Sequence, residues 1–463
     1  MNNAMQNILR ITKYLLILPL ILIIYLTYFQ MTKAEDFSRN SMNLRNNIFQ
    51  KDIVRGTIYD CENQPLTKNK DDSARFYPKG KSMAHVIGYA NVDIGNSGIE
   101  SYFNNELLGD TQDFKNMGYI GQLFNNGEGN DIVLTIDSEL THTAYNALNE
   151  KRGAIVVLDA KTGAVLAMVS TPSFDPNDIE NIWTSLNEDP EIPLLNRATN
   201  GLYPPGSIIK PMTAELALHN AVTDEHEVFE CTGVLDVGNG FSIKEAHDDV
   251  HGLLHLKEAL VKSCNVTFGT LAIRLGADNL KDGFKRYGFY EPIRGEIFES
   301  APNIPDFKTL DNGDIAQIGI GQSSLLVTPF RMALMASAIA NDGILMQPYI
   351  LEKIVSPSGI IIEEHEKQEL KTVMSKERAR LLSDWMEEAV VNGTGKAAKV
   401  SGIKIGGKTG TAENTGDKDH AWFIGFAEIG ERKVAFSILV ENGGSGADIA
   451  APIARKLVLS LDR

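Results

Sequence analysis

The chain has 463 residues, 43% hydrophobic and 22% charged, a composition that supports buried cores and, at this length, two or three domains. Its net charge is −16 and no basic block stands out, which argues against nucleic acid as a partner, because a phosphate backbone is bound by neutralising it. Three cysteines, Cys61, Cys231 and Cys264, occur without a CxxC, so neither a disulfide scaffold nor a zinc ribbon is indicated. Spacing leaves open whether Cys231 and Cys264 pair.

From Tyr14 to Phe29 the residues are apolar or aromatic apart from Thr27, with Arg10 and Lys13 before them and Glu35 and Asp36 after. That run is about long enough to cross a bilayer, and its basic flank places the N-terminus in the cytoplasm. A cleaved signal peptide is the rival reading, but the apolar run is long for one and Thr32-Lys33-Ala34 is a poor cleavage site. The expectation is a cytoplasmic tip and single-pass anchor over residues 1–33, with everything beyond it outside the cytoplasm.

Residues 34–130 are polar, with short strand-like pieces such as Arg55–Tyr59 and His85–Ala90, and the turn-rich Asn125–Asn130 reads as a boundary. A denser pattern runs from 131 to 463. Asp131–Ile136 is β-rich, and Ser138–Asn149 has helical spacing. Ala154–Leu158 and Val165–Val169 flank the turn Asp159–Gly163. A helical middle and a return to strands near Val434–Val440 predict a mixed α/β domain whose sheet is assembled from both ends of the segment.

Three short motifs carry chemistry. In Tyr203-Pro-Pro-Gly-Ser-Ile-Ile-Lys210 the prolines and glycine form a stiff entry, and Ser207 onward reads as helix, with Pro211 tolerable only near the first turn. Ser207 and Lys210 then share a helix face, where a lysine able to lose its proton would activate a serine hydroxyl. The helix start also leaves amide N–H groups free for an oxyanion. The second motif is Ser263-Cys264-Asn265 and the third Lys408-Thr-Gly-Thr411.

Each motif alone is weak. Together, in this order, they match the signature of penicillin-binding proteins and class A β-lactamases. The chain as a whole resembles the class B penicillin-binding proteins. Arg75-Phe-Tyr-Pro78, Ala84-His85, Gly88-Tyr89, Gly98-Ile-Glu100 and Leu108-Gly109 resemble that family's pedestal. Leu134–Asp137, Ser170–Asn177 and Asn196-Arg-Ala198 are similar to the approach to its nucleophile. His251-Gly252, Thr328-Pro329, Ala340-Asn341-x-Gly343, Asn392-Gly-Thr-Gly395 and Trp422–Gly425 are similar to later landmarks. The pedestal's usual Arg-Gly-x-Ile-x-Asp-Arg-Asn-Gly departs here to Arg55-Gly-Thr-Ile-Tyr-Asp-Cys-Glu-Asn63.

The resemblance implies a serine β-lactamase/transpeptidase-like α/β domain, an antiparallel sheet flanked by helices, on an extended pedestal with one transmembrane helix. It implies a D,D-transpeptidase that cross-links peptidoglycan stem peptides and is acylated by β-lactams. Ser207 would be the nucleophile and Lys210 its base. Ser263 would relay a proton to the leaving D-Ala, Lys408 would tune the local charge, and Asn265 would bind the peptide backbone. Thr409 and Thr411 would hold the terminal carboxylate, Gly410 would let the substrate lie against the strand, and the backbone N–H groups of Ser207 and Thr411 would form the oxyanion hole. No cofactor and no metal are implied. Strict strand alternation aims Lys408 and Thr409 at opposite faces, so both can serve the cleft only through geometry that spacing does not supply.

His247, His251 and His255 fall at helical spacing, but Gly252 interrupts any helix there and metal binding is not expected. His420, Trp422, Phe423 and Phe426 read as packing, Glu413 as a surface residue, and Ser170 and Ser173 as loop residues. A β-lactamase, a carboxypeptidase or a non-enzymatic β-lactam sensor or scaffold are the rival functions. With only about a hundred residues between anchor and catalytic domain, polymerisation is expected to fall to a partner. By resemblance that is a polytopic membrane glycosyltransferase of the shape, elongation, division and sporulation family.

Overall fold

The structure, a computed structural model, describes residues 15, 17–29, 54–71, 74–109, 127–238, 240–414 and 418–462. Residues 17–29 are helical, and Leu18, Ile21 and Ile24 are among their uncovered side chains. Among the described residues no helix is long and apolar enough to cross a membrane. Arg10 and Lys13 of the expected anchor, and Asn125 and Asn126 of the expected boundary, lie outside the described residues.

Among the described residues the first pedestal strand is β1 (Ile58–Tyr59), and the pedestal is organised around one carboxylate. Glu100 is fully buried and receives Arg55 Nε at 2.7 Å on one oxygen and Arg75 Nε at 2.8 Å on the other. Arg55 also donates to the Glu100 carbonyl and Arg75 to the Gly56 carbonyl, so scattered pedestal residues meet at one point. The segment His85–Ala90, expected as a strand, is a correction. Ala84–Ile87 is a short helix that ends at Gly88, whose φ is +76°. A Cβ at Gly88 would sit 2.0 Å from the Ser97 carbonyl oxygen, so the chain turns there, and the adjacent Val86 and Ile87 are both buried, unlike a half-covered strand.

Strand β2 (Asp131–Leu134) pairs in parallel with β1, so the pedestal and the following segment share a sheet across the expected boundary. Asp137 caps helix α1 (Ser138–Leu148) by accepting from the Glu139 and Leu140 amides. The hairpin β3 (Gly153–Asp159) and β4 (Val165–Thr171) follows as the pattern predicts, although Ser170, read as a loop residue, ends up buried within β4. Beyond a helical segment at Ile179–Glu188 lie helix α2 (Lys210–His219) and the paired strands β5 (Val228–Cys231) and β6 (Gly252–His255). Helices α3 (Leu256–Lys262), α4 (Asn265–Arg286) and α5 (Pro329–Ala340) form the middle. Strand β7 (Leu351–Val355) pairs with β2. The chain ends with β8 (Lys404–Ala412), β9 (His420–Ile429), β10 (Arg432–Val440) and helix α6 (Ala451–Leu461).

The central sheet has the order β8-β9-β10-β3-β4 and is antiparallel throughout. Ile438 of β10 lies opposite Ile155 of β3, so both ends of the segment do build one sheet. Successive residues feed two cores. Val156 and Leu158 pack with Trp422 and with Met212, Leu216 and Phe330 of α2 and α5. Ile155 and Val157 pack with Phe423 and Phe436 and with Leu140, Leu148, Ile453 and Leu457 of α1 and α6. Cover on both faces is why Ala154–Leu158 is an unbroken apolar run. β8 is left as an edge.

Replacing Glu100 with Ala leaves two largely buried guanidinium groups without their shared partner, and breaking such a pair costs about 3–5 kcal/mol. Urea unfolding monitored in the pedestal is expected to show that loss for Glu100→Ala. A change below about 1 kcal/mol would mean the cluster is as weak as a surface pair.

Candidate active site

The Ser207-x-x-Lys210 motif enters its helix through a tight turn. Gly206 has φ +57°, its amide donates to the Gly321 carbonyl at 2.8 Å, and a Cβ there would press on the Thr411 carbonyl. Ser207 lies on the single 3-10 turn Gly206–Ile209 that runs into α2, so the helix proper starts three residues later than the sequence pattern predicts. Pro211 sits in the first turn of α2, where its missing N–H does no harm. Ser207 is half-buried while Lys210 is fully buried.

Ser263 is the left-handed residue, φ +63°, that closes α3, and Cys264 is the N-cap of α4. The Ser-x-Asn motif is therefore a joint between two helices. Lys210 Nζ reaches across to it, donating to the Ser263 carbonyl at 2.6 Å, to Asn265 Oδ1 at 2.7 Å and to Ser263 Oγ at 3.3 Å. Lys408 Nζ donates to the same Ser263 Oγ at 2.8 Å. Two ammonium groups from different elements thus share one hydroxyl. Asn265 is also tied on its other side, donating through Nδ2 to the Lys244 carbonyl.

The alternation problem in β8 has a simple solution. Lys408 is fully buried, and its stem curls along the strand so that Nζ also donates to the Thr409 carbonyl at 3.0 Å. Thr409 and Thr411, two apart on the edge strand, line a cavity of about 890 Å³ together with Ser207, Ser263 and Asn265. Gly410 lies against Ile208, where a Cβ would come within 2.9 Å of the Ile208 side chain, so strand and nucleophile turn are in direct contact. Every sequence-predicted site residue belongs to this one constellation.

Two residues in it were not predicted. Thr394 Oγ1 lies 2.6 Å from Thr409 Oγ1, and its signal was only membership of the Asn392–Gly395 quartet. Glu245 had no motif at all. Its carboxylate accepts from the amides of Asn265 (2.9 Å) and Val266 (2.7 Å) and from the thiol of Cys264 (3.0 Å), capping α4 beneath the catalytic joint.

Cys231 and Cys264 are not bonded to each other. Their sulfurs, the Glu245 carboxylate and His251 lie within 4.8 Å of one another. Two thiolates, an imidazole and a carboxylate could hold a tetrahedral, thiophilic divalent cation such as zinc, which would brace the joint carrying Ser263 and Asn265. The three histidines themselves do not converge. His247 is exposed with φ +58°, and His255 belongs to the capping box of α3. His420 packs edge-on against Tyr203 and accepts from the Asn442 amide, Trp422 donates to the Pro204 carbonyl, and Glu413 is exposed at the cavity wall.

Burial pushes Lys210 down to about 8, against the opposing pull of Glu245 and Cys264. Burial, and then the neighbouring Lys210 charge, lower Lys408 well below its ordinary value. Lys210 follows Ser207 by three residues, and an amine of lowered proton affinity can serve as the base for a serine hydroxyl within its reach.

Residues 153–459 match the penicillin binding protein transpeptidase domain, and residues 55–129 match the penicillin binding protein A dimerisation domain. The chain belongs to the penicillin-binding protein transpeptidase family. It is 29% identical to the peptidoglycan D,D-transpeptidase PbpA of Mycolicibacterium smegmatis, over 99% of this chain and 98% of that protein. It is 30% identical to the peptidoglycan D,D-transpeptidase MrdA of Haemophilus influenzae, over 90% of this chain and 73% of that protein. Among solved structures, the ceftriaxone acyl-enzyme complex of penicillin-binding protein A from M. tuberculosis superposes with a TM-score of 0.82 at 28% identity. That match covers 90% of this chain and 99% of the other. These relatives place the chain with the class B penicillin-binding proteins.

For a penicillin-binding protein with this geometry, the proton-free form of Lys210 grows as pH rises toward about 8. Acylation by penicillin is therefore expected to quicken about tenfold per pH unit below that value and to level off above it. Stopped-flow acylation between pH 5.5 and 10 measures this; a flat profile would exclude Lys210 as the titrating base.

Proposed function

We propose that this chain is a serine-type peptidoglycan D,D-transpeptidase that works through an acyl-enzyme on Ser207. The observation that carries the reading is the Ser263 hydroxyl held by two buried lysines at the floor of a cleft that opens onto Ser207.

In this mechanism Ser207 Oγ attacks the carbonyl carbon of the penultimate D-Ala of a stem peptide and Lys210 takes its proton. The backbone N–H groups of Ser207 and Thr411 stabilise the oxyanion in a site where fixed donors need no reorganisation. Collapse breaks the peptide bond, and Ser263, between the two amines, passes a proton to the departing D-Ala. The hydroxyls of Thr409 and Thr411 hold the terminal carboxylate during this step, and Gly410 lets the substrate backbone approach the strand. Asn265, fixed by Lys210 and Lys244, faces the same cavity and binds the peptide backbone. The amine of a second stem peptide then attacks the ester carbonyl and frees Ser207. A β-lactam takes the donor's place and leaves Ser207 acylated.

The proposed organisation is an anchor over residues 1–33, a pedestal over 34–130 and a transpeptidase domain over 131–463. The helical, uncovered apolar residues 17–29 and the preceding Arg10 and Lys13 support a single pass through the bacterial cell membrane with the catalytic part outside. A polytopic membrane glycosyltransferase of the shape, elongation, division and sporulation family would supply the glycan strands and contact the anchor and pedestal.

Fluorescent penicillin separates the alternatives. The protein is expected to label stoichiometrically and keep its label for hours, and Ser207→Ala to remain unlabelled. With a D-Ala-D-Ala-terminated stem peptide and an amine acceptor, D-Ala release should accompany a cross-linked product. Rapid loss of label would instead identify a β-lactamase, and D-Ala release without cross-linking a carboxypeptidase.

A further inference from the structure

The catalytic cleft does not account for a second buried polar cluster at the exit of β10. Glu441 there has a side chain only 7% exposed. One carboxylate oxygen receives Arg197 Nε at 2.7 Å and the Tyr203 hydroxyl at 2.6 Å. The other pairs with Arg152 at 2.8 Å. Arg197 is fully buried, and its remaining nitrogens donate to the carbonyls of Glu191 and Ile192. None of these groups lines the cavity that holds Ser207.

We propose that Glu441 is a positioning residue for the nucleophile, acting through the Tyr203 phenol to set where Ser207 stands relative to the edge strand. The inference rests on Ser207 being the acylated residue. Its physical basis is the stiffness of the connection. Pro204 and Pro205 are the whole link between Tyr203 and Gly206, and each has a locked φ, so displacement of the phenol moves Gly206 and Ser207 as one arm.

The arm is guided along its length. Tyr203 exchanges backbone hydrogen bonds with Val327, Trp422 donates to the Pro204 carbonyl at 3.0 Å, and the Gly206 amide donates to Gly321. Those contacts restrain the backbone, and the phenol with its carboxylate ties the arm to the exit of β10. The oxyanion hole needs the amides of residues 207 and 411 to aim at one point, and β8 is already seated on the turn through Gly206 and Gly410. A shift of about 1 Å in such a constellation costs on the order of a hundredfold in rate.

The test is pre-steady-state acylation of the full chain by fluorescent penicillin, which separates the non-covalent Kd from the acylation rate constant. Tyr203→Phe removes one hydroxyl and leaves the ion pairs intact, so it should fold. Its acylation rate constant is expected to fall on the order of tenfold or more, with Kd within about twofold of the parent. Glu441→Gln should also slow acylation with little change in Kd, though it lowers the melting temperature because Arg197 and Arg152 lose their charged partner. The double variant should lose little rate beyond Glu441→Gln alone, because both act through one contact. Single variants that acylate at the parental rate would overturn the proposal. So would a loss in Tyr203→Phe in which Kd rises and melting temperature falls in step with the rate, or losses in rate that simply add. Ser207→Ala, run alongside, must remain unlabelled; if it labels, the acyl-enzyme reading fails whatever the Glu441 variants do.

Discussion

Two ammonium groups buried against one serine hydroxyl are the constraint around which the catalytic domain is built. Burying charge is costly unless partners are supplied, and here they are nearly all oxygen acceptors from a single joint: the Ser263 carbonyl and hydroxyl, the Asn265 amide oxygen and the Thr409 carbonyl. The Glu245 carboxylate lies behind that joint and offsets part of the cost. The remaining cost is what lowers the proton affinity of both lysines. Stability given up there becomes reactivity, which is how perturbed groups come to cluster at functional sites.

Fold and chemistry meet in the edge strand β8. A strand inside the sheet would have both sides engaged by ladder bonds, whereas β8 pairs only with β9 and turns its other side to the nucleophile turn. Two cores, one on each face of the sheet, hold that edge rigid. The pedestal reaches the same domain through β1, β2 and β7, and through Asn177, which exchanges hydrogen bonds with the Tyr77 backbone.

What could be read from the sequence follows from how local each feature is. Ser207 with Lys210 is a short-range relation that the helix period displays, whereas Thr409 and Thr411 came through the resemblance of their motif. Assembly of the sheet from both ends of the segment was legible because fully covered strands such as Ala154–Leu158 are continuous apolar runs. His85–Ala90 misled because a short apolar, β-branched run cannot tell a strand from one helical turn closed by glycine. Glu245 and Glu441 were invisible: each is an ordinary carboxylate whose partners come from remote segments, and a single acidic residue carries no periodic signal. The reach of Lys408 was likewise hidden, since four methylenes can turn a side chain around its own strand in a way that alternation does not encode.

Burial on the Ser263 joint brings the Lys210 ammonium down to about 8. NMR titration of protein carrying 15N at lysine Nζ, with Lys210→Arg for assignment, reads this directly. One resonance, absent in the variant, is expected with a midpoint of about 8. Lysines that all titrate above about 10, the ordinary range for an exposed ammonium, would contradict it.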